Sequence, residues 1–250
     1  MATPPCLMLA GANLVDRLID LPAQLVEAYA TAEPRGDVDD APPRLAEAFG
    51  QLAATLTQLD RADAPVAGQS PAETATELGE YGLNLCRAAL DWVRQLHAEP
   101  LVEPFRTLVL DLALWVADRG GWLLTLEPVV DALAGLANRT QETACLERLF
   151  DTAGRVRAAV VPALRRDLEK TDPGRPWRLL TINRAIIATR THHPELMETA
   201  FRDLVDDFPQ DAPAFFTQGM EQMDLLNYPT PVREVMEKYY EAWSTKRALH

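Results

Sequence analysis

Residues 176–247 read PWRLLTINRAIIATRTHHPELMETAFRDLVDDFPQDAPAFFTQGMEQMDLLNYPTPVREVMEKYYEAWSTKR. Four prolines stand 18, 19 and 18 residues apart in this segment: Pro176, Pro194, Pro213 and Pro231. Proline costs about 3 kcal/mol inside a helix but is well tolerated at the first helical position, because the amide hydrogen that it lacks has no partner there. The spacing therefore predicts four helices of nearly equal length, each beginning at a proline.

The equal length of these helices favours a repeat-like arrangement. Two consecutive helices make a hairpin of about 37 residues, close to the length of known α-helical repeats. Two of the helices also align at an offset of 38 residues, which places Phe201 on Tyr239. We expect hairpins stacked like an α-solenoid from about residue 176 to 247, with an irregular helical bundle as the alternative. No signature of a named repeat family is present.

The remainder of the chain also predicts helices. Helix-forming residues dominate, and only 12 of the 250 residues are glycine. Proline, glycine and aspartate cluster between Ala62 and Ser70, and no hydrophobic period crosses that stretch. We expect an all-α protein of about ten helices arranged as antiparallel hairpins. An N-terminal helical subdomain is predicted over residues 1–62 and a main helical domain over residues 71–250.

The middle of the chain carries two more specific expectations. An apolar helical hairpin is predicted to turn at Gly120, with its second helix running from Trp122 to Asn138. Asp111 and Arg119 interrupt this apolar region, which predicts a buried hairpin rather than a membrane span. A further helix is predicted from Thr140 to about Lys170, and Pro162 should kink or divide it.

Charge is unevenly distributed along the sequence. The whole chain carries −13, but residues 155–190 hold nine basic and three acidic residues. Such segregation steers an anionic partner toward one face of a protein. The alternative is that these arginines pair with acidic helices beside them. We call residues 155–190 the basic window.

Asn183 and Arg184 interrupt an apolar helix inside the basic window. A guanidinium in such a place needs a carboxylate, phosphate or carbonyl partner, because an unpaired buried charge is costly. Arg184 is therefore expected either to pair with an internal acid or to bind a ligand in a groove. The amide of Asn183 suits the backbone of an extended peptide. The predicted partner-binding residues are Arg157, Arg178, Asn183, Arg184, Arg190 and His193.

The last predicted helix carries three aromatic residues over an arc too wide for a single contact: Tyr239, Tyr240 and Trp243. The last helix of a stack has a neighbour on one side only. At least one of the three rings is therefore expected to meet solvent, a partner or a second copy of the chain. A homodimer through the C-terminal helix is the corresponding hypothesis.

Motifs for catalysis and cofactor binding are missing from the sequence. It contains no GxGxxG or GxxxxGK[ST] loop and no GxSxG turn, and its four histidines lack a metal-binding context. A pI near 4.8 argues against nucleic acid as a partner. The three cysteines show no CxxC spacing, which argues against disulfides and thiolate metal sites and suits the cytoplasm. We expect no cofactor, no metal and no membrane contact.

These patterns together predict a cytoplasmic, non-enzymatic interaction or assembly module. It is expected to bind an acidic segment of a partner protein through the basic window, as an adaptor or assembly factor does. The alternative is a helical enzyme or small-molecule binder with a pocket near Asn183 and Arg184. A deep cavity at those residues would favour the alternative, and a shallow groove would favour the interaction module.

Overall fold

The structure is a computed structural model that describes residues 14–32, 41–61, 70–165 and 174–244. These residues form eleven α-helices, a short 3₁₀ turn at Glu99–Leu101 and no β-strand beyond one isolated bridge. The predicted all-α class is confirmed. The helices are α1 (Leu14–Thr31), α2 (Pro42–Arg61), α3 (Pro71–Gln95), α4 (Val102–Asp118), α5 (Glu127–Arg139), α6 (Thr143–Ala159), α7 (Pro162–Arg165), α8 (Pro176–Thr191), α9 (Pro194–Asp207), α10 (Ala212–Leu226) and α11 (Thr230–Ser244).

Prolines begin the C-terminal helices as predicted. Pro176 and Pro194 are the first residues of α8 and α9, and Pro213 and Pro231 are the second residues of α10 and α11. Pro162 also has the predicted effect, because α6 ends before it and the short helix α7 starts at it. A ring without an amide hydrogen is compatible with the first helical turn and kinks or breaks a helix further in; Pro22, which lies inside α1, is tolerated without ending that helix.

The helix predicted from Trp122 to Asn138 begins only at Glu127, so its first part was predicted wrongly. Leu123 instead exchanges two backbone hydrogen bonds with residues 159–161, at 2.8 and 3.2 Å. The carboxylate of Glu80 on α3 accepts hydrogen bonds from the next two backbone amides, at 2.8 and 2.9 Å. These long-range bonds hold the segment extended, and the sequence pattern around Trp122 gives no sign of them.

The chain divides into two compact units. The N-terminal unit comprises Met1–Thr140 and Arg155–Arg166, and the C-terminal unit comprises Gln141–Gly154 and Asp167–His250. Residues 62–69 lie outside the described residues, so the boundary expected there stays a prediction. Helices α1 and α2 pack on each other and on α3, within the N-terminal unit.

Close packing of α3 depends on two glycines. A Cβ at Gly79 would clash with the side chain of Val116 on α4, and one at Gly82 would lie 3.2 Å from the methyl groups of Leu112. Helix α3 runs unbroken from Pro71 to Gln95, and Ser70 and Glu73 form a capping box at its start. The glycines therefore allow α4 to approach α3 closely.

A buried ion pair joins α1 to α4 in the N-terminal unit. The Arg17 guanidinium contacts the carboxylate of Asp111, and these side chains are 8% and 16% exposed. Arg17 also donates to the backbone carbonyl oxygen of Pro104 at 3.0 Å. Burial raises the pKa of Asp111 to about 6, although the positive charge of Arg17 acts in the opposite direction.

The cysteines differ in chemical state. Cys86 on α3 is a free, buried thiol whose pKa is raised by burial, so it lacks the reactivity of an exposed thiolate. Cys145 on α6 takes part in a disulfide bond. This bond contradicts the expectation, drawn from the cysteine spacing, that the chain holds no disulfide.

The C-terminal unit contains two helical hairpins. Helix α8 packs on α9, α10 packs on α11, and α11 also contacts α9. The rings of Phe201 and Phe216 are buried between these helices with their centroids 5.1 Å apart. Two hairpins agree with the predicted pairing of the helices, and the solenoid-like stacking stays a prediction.

Candidate functional site

Three arginines of the basic window pair with internal carboxylates: Arg155 with Asp118 at an exposed position, and Arg178 and Arg184 at more buried ones. Arg184 on α8 is 8% exposed, and its guanidinium pairs with Asp203 on α9. The same guanidinium lies 4.0 Å above the ring centre of Phe150. Arg178 binds Asp211 through two hydrogen bonds of 2.7 and 2.8 Å. Of the two roles open to Arg184 from the sequence, internal pairing is the one that the structure shows.

The ion pair with Arg178 prevents the Asp211 side chain from capping α10. Asp211 occupies the N-cap position of α10, where an aspartate side chain commonly accepts a hydrogen bond from the first turn. Its side chain makes no capping hydrogen bond, because both carboxylate oxygens accept from Arg178. The acid therefore ties the start of α10 to α8 instead of capping its own helix.

The other predicted partner-binding residues do not form one cationic surface within a unit. Arg157 belongs to the N-terminal unit, whereas Asn183, Arg190 and His193 belong to the C-terminal unit. Asn183 and Arg190 are half-buried, and the exposed His193 lies with Nε2 3.0 Å from a carboxylate oxygen of Glu147. Partner binding by these four residues stays a prediction.

The aromatic residues of α11 are placed in different ways. The ring of Tyr239 packs on Phe201 and Phe216, each with a centroid distance of 5.3 Å. Its hydroxyl donates to the Glu198 carboxylate at 2.9 Å. Tyr239 is thus part of the fold of the C-terminal unit, while Tyr240 and Trp243 are half-buried. A role of this helix in self-association stays a prediction.

Tyr239→Phe is expected to lower the free energy of unfolding by about 0.5–1.5 kcal/mol at pH 7, because the Glu198 carboxylate loses a half-buried hydrogen-bond donor. Burial and the hydrogen bond raise the pKa of Tyr239 to about 12. The folded state therefore favours the neutral phenol. The stabilisation that the Tyr239 hydroxyl provides is present below pH 10 and is lost as the pH rises from about 10 to 12. Urea denaturation at pH 7 and at pH 11 measures both effects.

The matched control for this prediction is Tyr240→Phe, which removes a hydroxyl from the neighbouring half-buried ring. It should change stability by less than about 0.5 kcal/mol. Equal losses in the two variants would contradict the assigned role of the Tyr239 hydroxyl.

A groove of about 530 Å³ lies in the N-terminal unit, lined by residues of α3, α4, α5 and the 3₁₀ turn. Arginines and carboxylates line it in equal numbers, four of each. Four apolar residues complete the lining. The charged residues are Arg87, Arg94, Arg106, Arg139, Asp91, Glu99, Glu127 and Asp131, and the apolar ones are Leu90, Val102, Pro128 and Ala132.

Helix α5 supplies one wall of this groove through residues spaced four apart. Positions 127, 131, 135 and 139 fall on one face of the helix, and they carry Glu127, Asp131, Gly135 and Arg139. From the first to the last, this face extends about 18 Å, since a helix rises 1.5 Å per residue. The groove is therefore elongated along α5.

Gly135 makes room for the guanidinium of Arg106 from α4. A Cβ at position 135 would lie only 2.6 Å from Nε of Arg106, which is closer than real Cβ contacts. Arg106 is half-buried and has no ion-pair partner among the described residues. Two other groove arginines do have internal partners, since Arg94 pairs with Asp91 and Arg139 with Glu103.

Arg106 is thus a partly desolvated charge that faces the groove and forms no ion pair with the described carboxylates, including those that line the groove. Sequence analysis missed this residue because it lies outside the basic window, in a stretch with no excess of positive charge. The only signal in the sequence was the four-residue spacing of Glu127, Asp131 and Arg139 around Gly135. This spacing indicates a binding groove only once Arg106 is known to pack against Gly135.

Comparison of the chain with protein-family models, curated proteins and solved structures found no match. Within the described ranges, every helix is too short or too polar to cross a membrane. The described residues also contain no group of three or more His, Cys, Asp or Glu that could hold a metal ion. The function must therefore be argued from the geometry of this chain.

Proposed function

We propose that the protein is a non-enzymatic protein–protein interaction module that binds an acidic segment of a partner protein. Arg106 is the residue that would bind a carboxylate of this segment. The observation that carries this proposal is the half-buried guanidinium of Arg106, which faces the groove without an ion-pair partner among the described residues. We place the proposed binding site in the groove and not in the basic window, because Arg178 and Arg184 form internal ion pairs.

The chemistry of Arg106 suits a carboxylate. A guanidinium presents paired N–H donors that match the two oxygens of a carboxylate, and such charge-assisted hydrogen bonds are stronger than neutral ones. Packing against Gly135 fixes the position of the side chain, so less conformational entropy is lost on binding. Partial burial also reduces the screening of its charge by water and salt.

The shape of the groove favours an extended segment as the ligand. An extended chain advances about 3.3 Å per residue, so a groove of about 18 Å accommodates five or six residues. An adaptor or assembly role follows from this mode of binding. The expected cytoplasmic location stays a prediction, and the disulfide bond of Cys145 weighs against it.

A small carboxylate ligand is the second candidate. The volume of about 530 Å³ lies within the range of ordinary ligand pockets, which is about 300–1,000 Å³. This groove is not the pocket expected near Asn183 and Arg184, since its lining residues all lie between Arg87 and Arg139. Binding of free succinate at Arg106, without selection of any peptide, would favour this candidate.

Selection from a phage-displayed library of random nonapeptides tests the proposal. Peptides that bind the full chain should be enriched in Asp and Glu. Arg106→Gln should weaken the best of them by about tenfold or more, because a charge-assisted pair contributes at least about 1.4 kcal/mol. Fluorescence anisotropy with the labelled peptides measures the dissociation constant, which should rise with ionic strength.

Two further variants sharpen this test. Arg61→Gln removes the same charge from the exposed end of α2 and should leave binding unchanged within about twofold. Gly135→Ala keeps every charge but displaces the Arg106 guanidinium, so it should weaken binding while α5 gains helix propensity. Selected peptides without acidic enrichment, or equal binding to Arg106→Gln and the wild type, would overturn the proposal.

A further inference from the structure

The carboxylates of α5 constrain which acidic segments can enter the groove. Glu127 and Asp131 lie two turns and one turn before Gly135 on the same face of α5, and both are exposed. Neither carboxylate has an ion-pair partner among the described residues. A segment bound to Arg106 and lying along α5 therefore passes next to two negative charges.

We propose that the partner segment carries both charges, with a basic residue two to four positions from the acidic residue that meets Arg106. This inference rests on the proposed function and specifies the chemistry of the same site. The basic residue would meet Glu127 or Asp131, while the acidic residue meets Arg106. A purely acidic segment would place like charges together at this end of the groove.

The spacing follows from helix and strand geometry. Asp131 and Glu127 precede Gly135 by four and eight residues, which correspond to about 6 and 12 Å along the helix axis. An extended peptide covers these distances in about two and four residues. The chain direction of the peptide decides whether the basic residue comes before or after the acidic one, so both orders are compatible with the groove.

The selected nonapeptides provide the first test. Their sequences should show Lys or Arg two to four positions from an Asp or Glu, in one consistent order. Replacing that Lys or Arg by Gln should weaken binding by about three- to fivefold, the upper range for a pair at exposed carboxylates, and the same loss should follow from Glu127→Gln/Asp131→Asn in the protein. The peptide change should cause little further loss in the Glu127→Gln/Asp131→Asn protein, and the protein change little further loss with the altered peptide. Both changes remove the same ion pair between peptide and protein.

The control variant Asp20→Asn/Glu27→Gln removes two exposed charges from α1 and should not alter peptide binding by more than about twofold. Thermal denaturation checks that the α5 variant is folded, since Glu127 lies in the first turn of α5, where an acid also favours the helix. An all-acidic peptide should bind the α5 variant more tightly than the wild type.

The outcomes separate this inference from the proposed function. Peptides that are acidic, depend on Arg106 and lack a basic residue would support the proposed function and overturn the mixed-charge segment. Additive losses from the peptide and protein changes would overturn it as well. Failure of Arg106→Gln to weaken any selected peptide would overturn both proposals.

Discussion

Arg17→Met should lower the free energy of unfolding by about 3–5 kcal/mol at pH 8, the usual loss when one partner of a buried ion pair is removed. Arg17 is the cation that faces the Asp111 carboxylate, and it also satisfies the backbone carbonyl of Pro104. Without it, a carboxylate that is 16% exposed keeps its desolvation cost and loses its counter-charge. Urea denaturation followed by circular dichroism measures the loss.

The pH dependence of this variant has a defined sign. Burial already raises the pKa of Asp111 to about 6 with Arg17 present, and loss of the cation raises it further. A folded-state pKa above the unfolded value means that the folded state binds the proton more tightly, so stability falls as the pH rises through about 4 to 6 and beyond. The deficit of Arg17→Met should therefore be smaller at pH 5 than at pH 8.

Arg17→Met/Asp111→Leu is the matched control for the ion pair. Replacing both charges by apolar side chains of similar size removes the unpaired carboxylate, so most of the lost stability should return. A double variant as unstable as Arg17→Met would contradict this account and assign the loss to packing around Arg17.

Arg184→Glu should destabilise the C-terminal unit by at least about 3 kcal/mol. The new carboxylate would lie beside Asp203 in a buried position against Phe150, where two like charges repel each other. The contact between the guanidinium and the aromatic ring would also be lost. Thermal denaturation followed by near-ultraviolet circular dichroism should show a lower melting temperature, with the largest effect on the signals from the aromatic residues of the C-terminal unit.

Two variants test whether the position of Arg184 causes this effect. Arg233→Glu reverses a charge in an exposed ion pair with Asp224 and should cost no more than about 1 kcal/mol. Arg184→Asp/Asp203→Arg restores opposite charges and should recover part of the loss. If Arg184→Glu is as stable as Arg233→Glu, the internal role of Arg184 is wrong.

This prediction changes how the basic window can be studied. Charge reversal at Arg178 or Arg184 removes an internal ion pair, so a resulting loss of partner binding would report unfolding rather than recognition. The groove variants avoid the difficulty, because Arg106 has no internal ion pair among the described residues.

The sequence predicts the helices well where prolines and hydrophobic spacing act locally. Helices α8 to α11 begin within one residue of the predicted prolines, because the ring acts on its own turn of the chain. The segment after Gly120 is different. Its extended conformation depends on hydrogen bonds to Glu80 and to residues 159–161, and such partners cannot be found from local periodicity.

The candidate site was harder to predict than the fold. An excess of arginines in the basic window indicates charge but not its partners, and the carboxylates of Asp203 and Asp211 lie 19 and 33 residues away from Arg184 and Arg178. Arg106 stands in a stretch of ordinary composition. Its exposure to the groove depends on the absence of a side chain at Gly135, which only the packing of two helices reveals.

The division of α6 has a consequence for dissecting the chain into separate domains. Residues up to Gly154 belong to the C-terminal unit, and the chain from Arg155 returns to the N-terminal unit. A fragment that stops at Thr140 loses the backbone partners of Leu123 at residues 159–161. No single cut in the polypeptide yields both units intact, so neither unit can be prepared as one continuous fragment of the chain.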